Sequence, residues 1–450
     1  MLPGILIFFL CNMMRADAIE IFRAGVASVQ PSALMQEHVQ LQDGQLQVCG
    51  RTYSLPAGRP VWIFGAGKAS AAMAQSLEEL LAGLSLKGMV ITKHAHGLPL
   101  KHIQLEEAGH PVPDQSSVQA TQKMLQLLDE VQEHDAVLFL LSGGASSLMA
   151  DYPEGADLQQ VQQVFALLLK SGATIHEMNI VRKHLSAVKG GQLALRANTS
   201  AFCSLILSDV VGDDLPVIGS GPTVPDPSTF KEAYNILEQY GLSLKIPPAI
   251  REHLLQGCAG IIPETPKPGH PRFETVSNHL TGSNRIALEA AARKARQLGY
   301  DTRILSDGIT GDAVQLARRL IQEAAQQETG KAVCLLTGGE PTVTVTGSGL
   351  GGRNQHLALA AGIALAGRKG ILLLSAGTDG TDGPTDAAGA LVDAGIMAKA
   401  VQEGLDAEQY LQEHDSYHFF EQAGGLLKTG PTQTNVMDII VILTSPAEKK

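Results

Sequence analysis

Residues 61–81, VWIFGAGKASAAMAQSLEELL, decide the fold. Val61–Phe64 is a short apolar strand, Gly65-Ala66-Gly67 a tight turn, and Ala69–Leu81 a helix by its periodicity. The same order returns at Ala136–Leu141, a continuous apolar run closed by Ser142-Gly143-Gly144. Met89–Thr92, Ile103–Glu106 and Ser204–Leu207 read as further strands. Helices are expected from the N-cap Asp114 to about Val131, over Leu158–Lys170 and over Asn179–Leu195. Apolar strands alternating with helices predict a mostly parallel, doubly wound α/β sheet. Such sheets bind ligands beyond the carboxyl ends of their strands, where both glycine turns fall.

Around Lys245–His270 the rhythm breaks. Pro247, Pro248, Pro263, Pro266, Pro268 and Pro271 crowd the stretch, which reads as a connector. A second α/β set follows. Its strands are Arg303–Leu305, Val333–Leu336, Thr342–Thr346, Leu372–Ser375 and Ile439–Leu443, with helices at about Asp312–Gln327 and Leu357–Leu365. The expected organisation is a domain over 14–244, a connector over 245–278 and a smaller domain over 279–446. A chain of 450 residues is in keeping with two cores.

Composition narrows the function. Aromatics are only 4% and the net charge is −11, which disfavours a nucleic-acid partner needing stacking platforms and basic patches. In so acidic a chain, an anionic substrate requires locally placed cations. The cysteines Cys11, Cys49, Cys203, Cys258 and Cys334 form no C-x-x-C pair, so a reducing, cytoplasmic setting is expected. The apolar run Leu2–Cys11 is too short to span a bilayer and lacks the basic start of a secretory signal. Met13 or Met14 is an alternative start to Met1.

Six segments carry chemistry. Gly65-Ala66-Gly67-Lys68-Ala69-Ser70 lacks the spacing of a Walker A loop and the third glycine of a dinucleotide fingerprint. Its glycines still let backbone N–H groups approach an anion at a helix start, and Lys68 adds a full charge; a plain tight turn is the bland reading. Ser142-Gly143-Gly144-Ala145-Ser146 is a glycine nest with hydroxyl donors, suited to phosphate oxygens and missing the last glycine of a nucleophile elbow. Arg182, Lys183, His184 and Lys189 form a basic run that is either a solvated face or an anion site. Asp209, Asp213 and Asp214 follow a strand and can hold Mg²⁺ or accept a proton. Glu340 and Arg353 flank a second glycine loop, where an arginine can fork onto phosphate or carboxylate. Asp379, Asp382 and Asp386 close an apolar strand without EF-hand spacing. Together these make the inventory for phosphoryl transfer.

The chain resembles the glycerate 2-kinase family, whose second half is called the MOFRL domain. The matching words are GAGKAS at Gly65–Ser70, LLSGGASSL at Leu140–Leu148, NIVRKHLSAVKGGQLA at Asn179–Ala194 and LILSDVVGDDLPVIGSGPT at Leu205–Thr223. TGSN at Thr281–Asn284, GGEPTVTV at Gly338–Val345, GGRNQ at Gly351–Gln355, GTDGTDGPTDAAGA at Gly377–Ala390 and GPTQTNVMD at Gly430–Asp438 follow in order. Pro216 and Gly219 are slight departures, standing where other small or polar residues are expected.

The resemblance implies a Rossmann-like α/β/α N-terminal domain, a smaller α/β domain and a cleft between them. It implies ATP and Mg²⁺-dependent phosphorylation of D-glycerate, usually at the 2-hydroxyl, and leaves a homodimer open; no membrane partner is expected. Lys68 and Arg353 take active-site positions, converging on one anion when the domains close. Asp209 joins them as a catalytic carboxylate. Gly65, Gly67, Ser142, Gly143, Gly144, Ser146, Asn284 and Asn435 are expected to bind the nucleotide, and Asp209, Asp213 and Asp379 to hold Mg²⁺. Some members carry the label hydroxypyruvate reductase, so an NAD(P)H-dependent reductase is the rival reading.

Overall fold

The computed structural model describes residues 3–446 apart from 43, 54, 56, 57, 328 and 329, with side chains from residue 12 onward. The chain forms two compact units, one of residues 34–281 and one of 282–450 together with 1–33.

The 34–281 unit is built on a six-stranded sheet. Its order is Gln104–Ala108, Leu86–Lys93, Val61–Ala66, Ala136–Leu141, Ala201–Leu207 and Val276–Gly282. The first five strands pair in parallel. Val61–Ala66 and Ala136–Leu141 are buried along their whole length, which explains their unbroken apolar character. Phe64, Phe139 and Phe202 sit in one core on these strands, and Trp62 pays its N–H to Asp135 at 3.0 Å inside it. The chain winds outward from Val61–Ala66 in one direction, then returns to its other side with Ala136–Leu141. The glycine turns after these two strands therefore flank the point where strand order reverses.

A second core in this unit is helical. Val164 and Leu168 of helix Leu158–Ser171 pack with Phe230 and Leu237 of helix Phe230–Gln239, and with Ile250 and Leu254 of helix Pro248–Cys258. The Pro-rich stretch thus carries a helix, because Pro248 stands at its first turn, where a missing N–H costs nothing. The expected helix Asn179–Leu195 is two helices instead, Ile175–Lys183 and Gln192–Arg196. Gly190 and Gly191 break it with φ of +58° and +84°, and donate their N–H groups to Ser220 and Gly221 carbonyls. A small antiparallel sheet over Val39–Gln42, Gln45–Val48 and Arg51–Tyr53 had no counterpart in the sequence reading.

The other unit has a mixed sheet in the order Asp301–Asp312, Val333–Thr342, Asp438–Thr444, Ile371–Gly377, Gly389–Asp393 and Leu426–Leu427. Only its first pair is parallel; Asp438–Thr444 runs antiparallel to both neighbours. The Thr342–Thr346 alternation does not form a separate strand. The strand before it ends at Thr342, and Val345 is exposed. Helix Pro3–Ser28 belongs to this unit and not to the one that follows it in sequence. Arg15 forks onto Asp393 with two bonds of 2.7 Å, and the Tyr300 hydroxyl donates to Asp17 at 2.7 Å. Among the described residues no helix is long and apolar enough to cross a membrane. Cys49, Cys203, Cys258 and Cys334 are free thiols; the Cys11 side chain lies outside the description.

Candidate active site

Strand Val61–Ala66 delivers Gly67 and Lys68 directly to helix Ser70–Leu80. Gly67 has φ of +137°, and a Cβ there would stand 2.0 Å from Ser142 Oγ, so only glycine lets the two turns touch. The contact is stitched by backbone. Lys68 N–H donates to the Gly143 carbonyl at 2.9 Å, Ser142 N–H to the Ala66 carbonyl at 3.0 Å, and Ala69 N–H to Ser142 Oγ at 3.1 Å. Gly65, Gly67, Lys68, Ser142, Gly143 and Gly144 are thus one constellation. The Lys68 side chain is half-buried, and among the described residues of this unit its ammonium has no hydrogen-bond or ion-pair partner. An unpaired cation beside a glycine nest is the setting for an anionic ligand.

Asp209 joins the same constellation. A Cβ at Gly143 would stand 1.9 Å from Asp209 Oδ2, so the carboxylate lies hard against the nest. Asp213 sits in the following turn with φ of +52° and its N–H bonded to the Val210 carbonyl at 3.0 Å. Ser146 Oγ is 2.9 Å from Ser220 Oγ, and Ser220 holds a strained φ of +63° while donating to Asn179 Oδ1 at 3.2 Å. His110 closes the far side of Gly144, whose Cβ would meet the ring at 2.7 Å. Burial, then the charges of Lys68 and Lys93, lower the His110 pKa to about 4.

The basic run is not a solvated face, and two of its members, Arg182 and Lys189, line a cavity. Lys183, His184 and Lys189 are buried. Lys183 pairs with Asp226 at 3.3 Å, His184 with Glu264 at 3.3 Å, and Lys189 donates to the Met149 carbonyl at 2.6 Å. Arg182 donates to Asn179 at 2.8 Å and stacks on Phe165. Burial lowers the pKa of Lys189 below the usual lysine range.

The other unit gathers a second set. Arg353 opens helix Arg353–Leu365 and meets two carboxylates. Its Nε donates to Asp438 Oδ2 at 2.6 Å and its Nη2 to Oδ1 at 3.0 Å, while Nη1 reaches Glu340 at 2.6 Å. Burial opposes the guanidinium charge, but the two carboxylates outweigh it and hold the Arg353 pKa above its ordinary value. Asp438 is fully buried and Glu340 half-exposed, so the Asp438 contact dominates. Asp382 caps the same helix, accepting from Asn354 N–H at 3.0 Å and Gln355 N–H at 2.8 Å. Burial raises its pKa to about 6 despite these bonds.

Asn284 spends both amide hydrogens on the Val436 and Asp438 carbonyls, at 2.8 and 2.9 Å, leaving its buried Oδ1 without a partner in the protein. Asn435 Oδ1 accepts the Met437 N–H at 3.1 Å. Asp379 turns back on Thr381, whose N–H and hydroxyl both donate to it at 3.1 Å. Asp209 and Asp213 therefore share one unit, and Asp379, Asn284, Asn435 and Arg353 the other. Among the described residues no three His, Cys, Asp or Glu side chains gather as a ready-made metal site.

The sequence reading passed over His110, and quoted Asn179, Ser220 and Asp438 inside family words without giving them a role. Asp438 left one signal, an acidic residue opening the otherwise apolar strand Asp438–Thr444, where a buried charge needs a partner.

Comparison with known proteins identifies the family. Residues 17–255 match the model of a domain of unknown function, DUF4147, and residues 333–438 match the MOFRL family. A glycerate 2-kinase of Pyrococcus horikoshii is 40% identical over 93% of this chain and 95% of its own. A D-glycerate 2-kinase of Thermotoga maritima is 43% identical over 85% of this chain and 90% of its own. A crystal structure of glycerate kinase from Thermotoga maritima superposes with a TM-score of 0.85 at 39% identity, covering 96% of this chain and all of that one. With its two domain matches in order and relatives of this likeness along nearly its whole length, the chain belongs to the glycerate 2-kinase family.

Proposed function

We propose that this protein transfers the γ-phosphoryl group of ATP to the 2-hydroxyl of D-glycerate. One observation carries the reading. The unpaired Lys68 ammonium, the Gly143-Gly144 nest and the Asp209 carboxylate share one strand-end constellation at the reversal of the sheet. The substrate class rests on the glycerate 2-kinases the chain is similar to.

In this reading the nest's N–H groups and the Ser146 hydroxyl receive phosphate oxygens, and Lys68 neutralises charge that builds on the transferring group. The glycerate hydroxyl oxygen attacks the γ-phosphorus, and the bond to the β-bridging oxygen breaks. The hydroxyl proton leaves to a carboxylate of the Asp209–Asp213 loop. Mg²⁺, when bound, would neutralise the β- and γ-oxygens; one or two carboxylates suffice for it beside nucleotide, and Asp209 against the nest fits that need. Arg353 is the second essential cation, held ready by Asp438.

Phosphorus NMR of the full-length protein with ATP and D-glycerate tests this. The expected products are ADP and 2-phosphoglycerate. The 3-phosphate would move the site of attack. No phosphoester, with hydroxypyruvate-dependent NAD(P)H oxidation, would replace the kinase by the reductase.

A further inference from the structure

Next to the glycine nest the 34–281 unit contains a cavity of about 570 Å³, inside the range of about 300–1,000 Å³ typical of small-molecule sites. One wall is a stripe of helix Leu158–Ser171. Val161, Phe165 and Leu169 recur at the four-residue spacing of one helix face and all line the cavity. Val161 also belongs to the helical core that Val164 and Leu168 form with Phe230, and Phe165 packs against its edge, so Leu169 is the residue of the stripe that this core leaves over. Val112, on the segment after His110, also lines the cavity. Leu169 is 69% exposed and Val112 65% exposed, so the fold itself does not use these two side chains. Ser147, Asp151, Gln162, Ser186 and Lys189 also line the cavity, and Asp151 is engaged by the Ser186 hydroxyl at 2.5 Å and the Lys189 ammonium at 3.6 Å. The Arg182 guanidinium lies 4.8 Å from the Phe165 ring centre, with Asn179 holding it from behind. Gly144 and Ser146, members of the nest, form the cavity's near end.

Glycerate is small, charged and hydroxylated, and would leave the Phe165, Leu169 and Val112 surfaces uncovered. A flat heteroaromatic base joined through ribose to phosphates matches both ends at once: apolar faces and a guanidinium for stacking, then N–H groups and hydroxyls for the anion. Resting on the kinase reading for the phosphate end, we infer that this cavity is the purine subsite of the nucleotide, with Val161, Phe165 and Leu169 as one wall of its base pocket.

The test uses the full-length protein and titration calorimetry with ADP, adenosine and ribose 5-phosphate. Wild type is expected to bind ADP and, more weakly, adenosine. Leu169→Asp and Val112→Asp change exposed side chains and leave folding intact, which circular dichroism checks. Their combination is expected to weaken ADP at least tenfold, abolish adenosine binding and leave ribose 5-phosphate unaffected. The KM for ATP rises by the same factor while the KM for D-glycerate holds. Unchanged ADP affinity and ATP KM in the double variant would overturn the inference while leaving the kinase reading intact. Tight ADP binding lost in the variant, with no phosphate transfer in wild type, would do the reverse. No binding of ADP or adenosine by wild type overturns it outright. Phe165→Ala gives a second readout, with ADP expected to weaken about tenfold if a stacking wall is lost.

Discussion

The Asp438 carboxylate grips the Arg353 guanidinium side-on, Nε to Oδ2 at 2.6 Å and Nη2 to Oδ1 at 3.0 Å. A buried carboxylate that holds both atoms of one edge fixes the plane of the guanidinium, which a lysine ammonium cannot reproduce. Arg353→Lys is therefore expected to lower kcat/KM by about 10²-fold despite keeping the charge. Asp438→Asn keeps the shape but not the charge, and is expected to lose about tenfold. In a double-mutant cycle the two effects should be strongly non-additive. Additive losses would show that Asp438 does not act through Arg353.

Lys68 offers a separation of function from stability. Among the described residues of its unit its ammonium makes no hydrogen bond or ion pair, so Lys68→Ala should leave the denaturation midpoint within about 0.5 kcal/mol of wild type. Turnover should fall by about 10²–10³-fold if the charge meets the transferring group. Urea titration and steady-state kinetics on the same preparation check both halves. Near wild-type kcat would remove Lys68 from the site.

Gly143→Ala probes how tightly Asp209 abuts the nest. The added methyl would stand 1.9 Å from Asp209 Oδ2, so the carboxylate or the turn must move. Overpacking of this kind costs about 1–3 kcal/mol. The kcat should fall alongside, and a variant with unaltered kcat would show that Asp209 has no catalytic part.

Acid should loosen the 34–281 unit through His110. Its folded pKa of about 4 lies below the ordinary 6.5, because burial and then Lys68 disfavour the charged ring. The unfolded chain therefore binds the proton first. The stability contributed by the neutral ring is complete above pH 6.5 and is lost as pH falls from 6.5 towards 4. His110→Gln should flatten the melting temperature over that window relative to wild type. Coincident slopes would refute the assignment. His356 in the other unit, lowered to about 4 by burial and then His414, predicts the same sign for His356→Gln.

Asp382 anchors the helix that carries Arg353. It accepts the Asn354 and Gln355 N–H groups and the Gln355 side-chain amide, all in a buried setting. Asp382→Ala leaves these donors unmet, at about 1–3 kcal/mol for a buried unsatisfied group, on top of about 1 kcal/mol for the cap. A loss of 2–4 kcal/mol in urea unfolding is the expected result, roughly the sum of those two effects. A change below about 0.5 kcal/mol, the level of an ordinary surface substitution, would show that the cap is dispensable.

What the sequence determined by itself was local. Val61–Phe64 and Ala136–Leu141 had to be buried strands because every residue in them is apolar, and the glycine turns after them had to lie near strand ends, although the first strand runs on through Gly65 to Ala66. Lys68, Gly143 and Arg353 stood out because charge and flexibility at such turns have few structural uses. The break at Gly190-Gly191 and the helix begun by Pro248 escaped notice, since glycine is tolerated within a helical pattern and proline serves equally as a breaker and a first-turn residue.

Only the tertiary structure decided which side chains meet. It joined Asp438 to Arg353 across 85 positions and set Asp209 against Gly143. It also spent Lys183, His184 and Lys189 on buried partners, although in the sequence they look as available as Lys68. The physical reason is that strand and helix periodicity is written in neighbouring residues. The pairing of charges depends on burial and on distances that close only when remote segments pack.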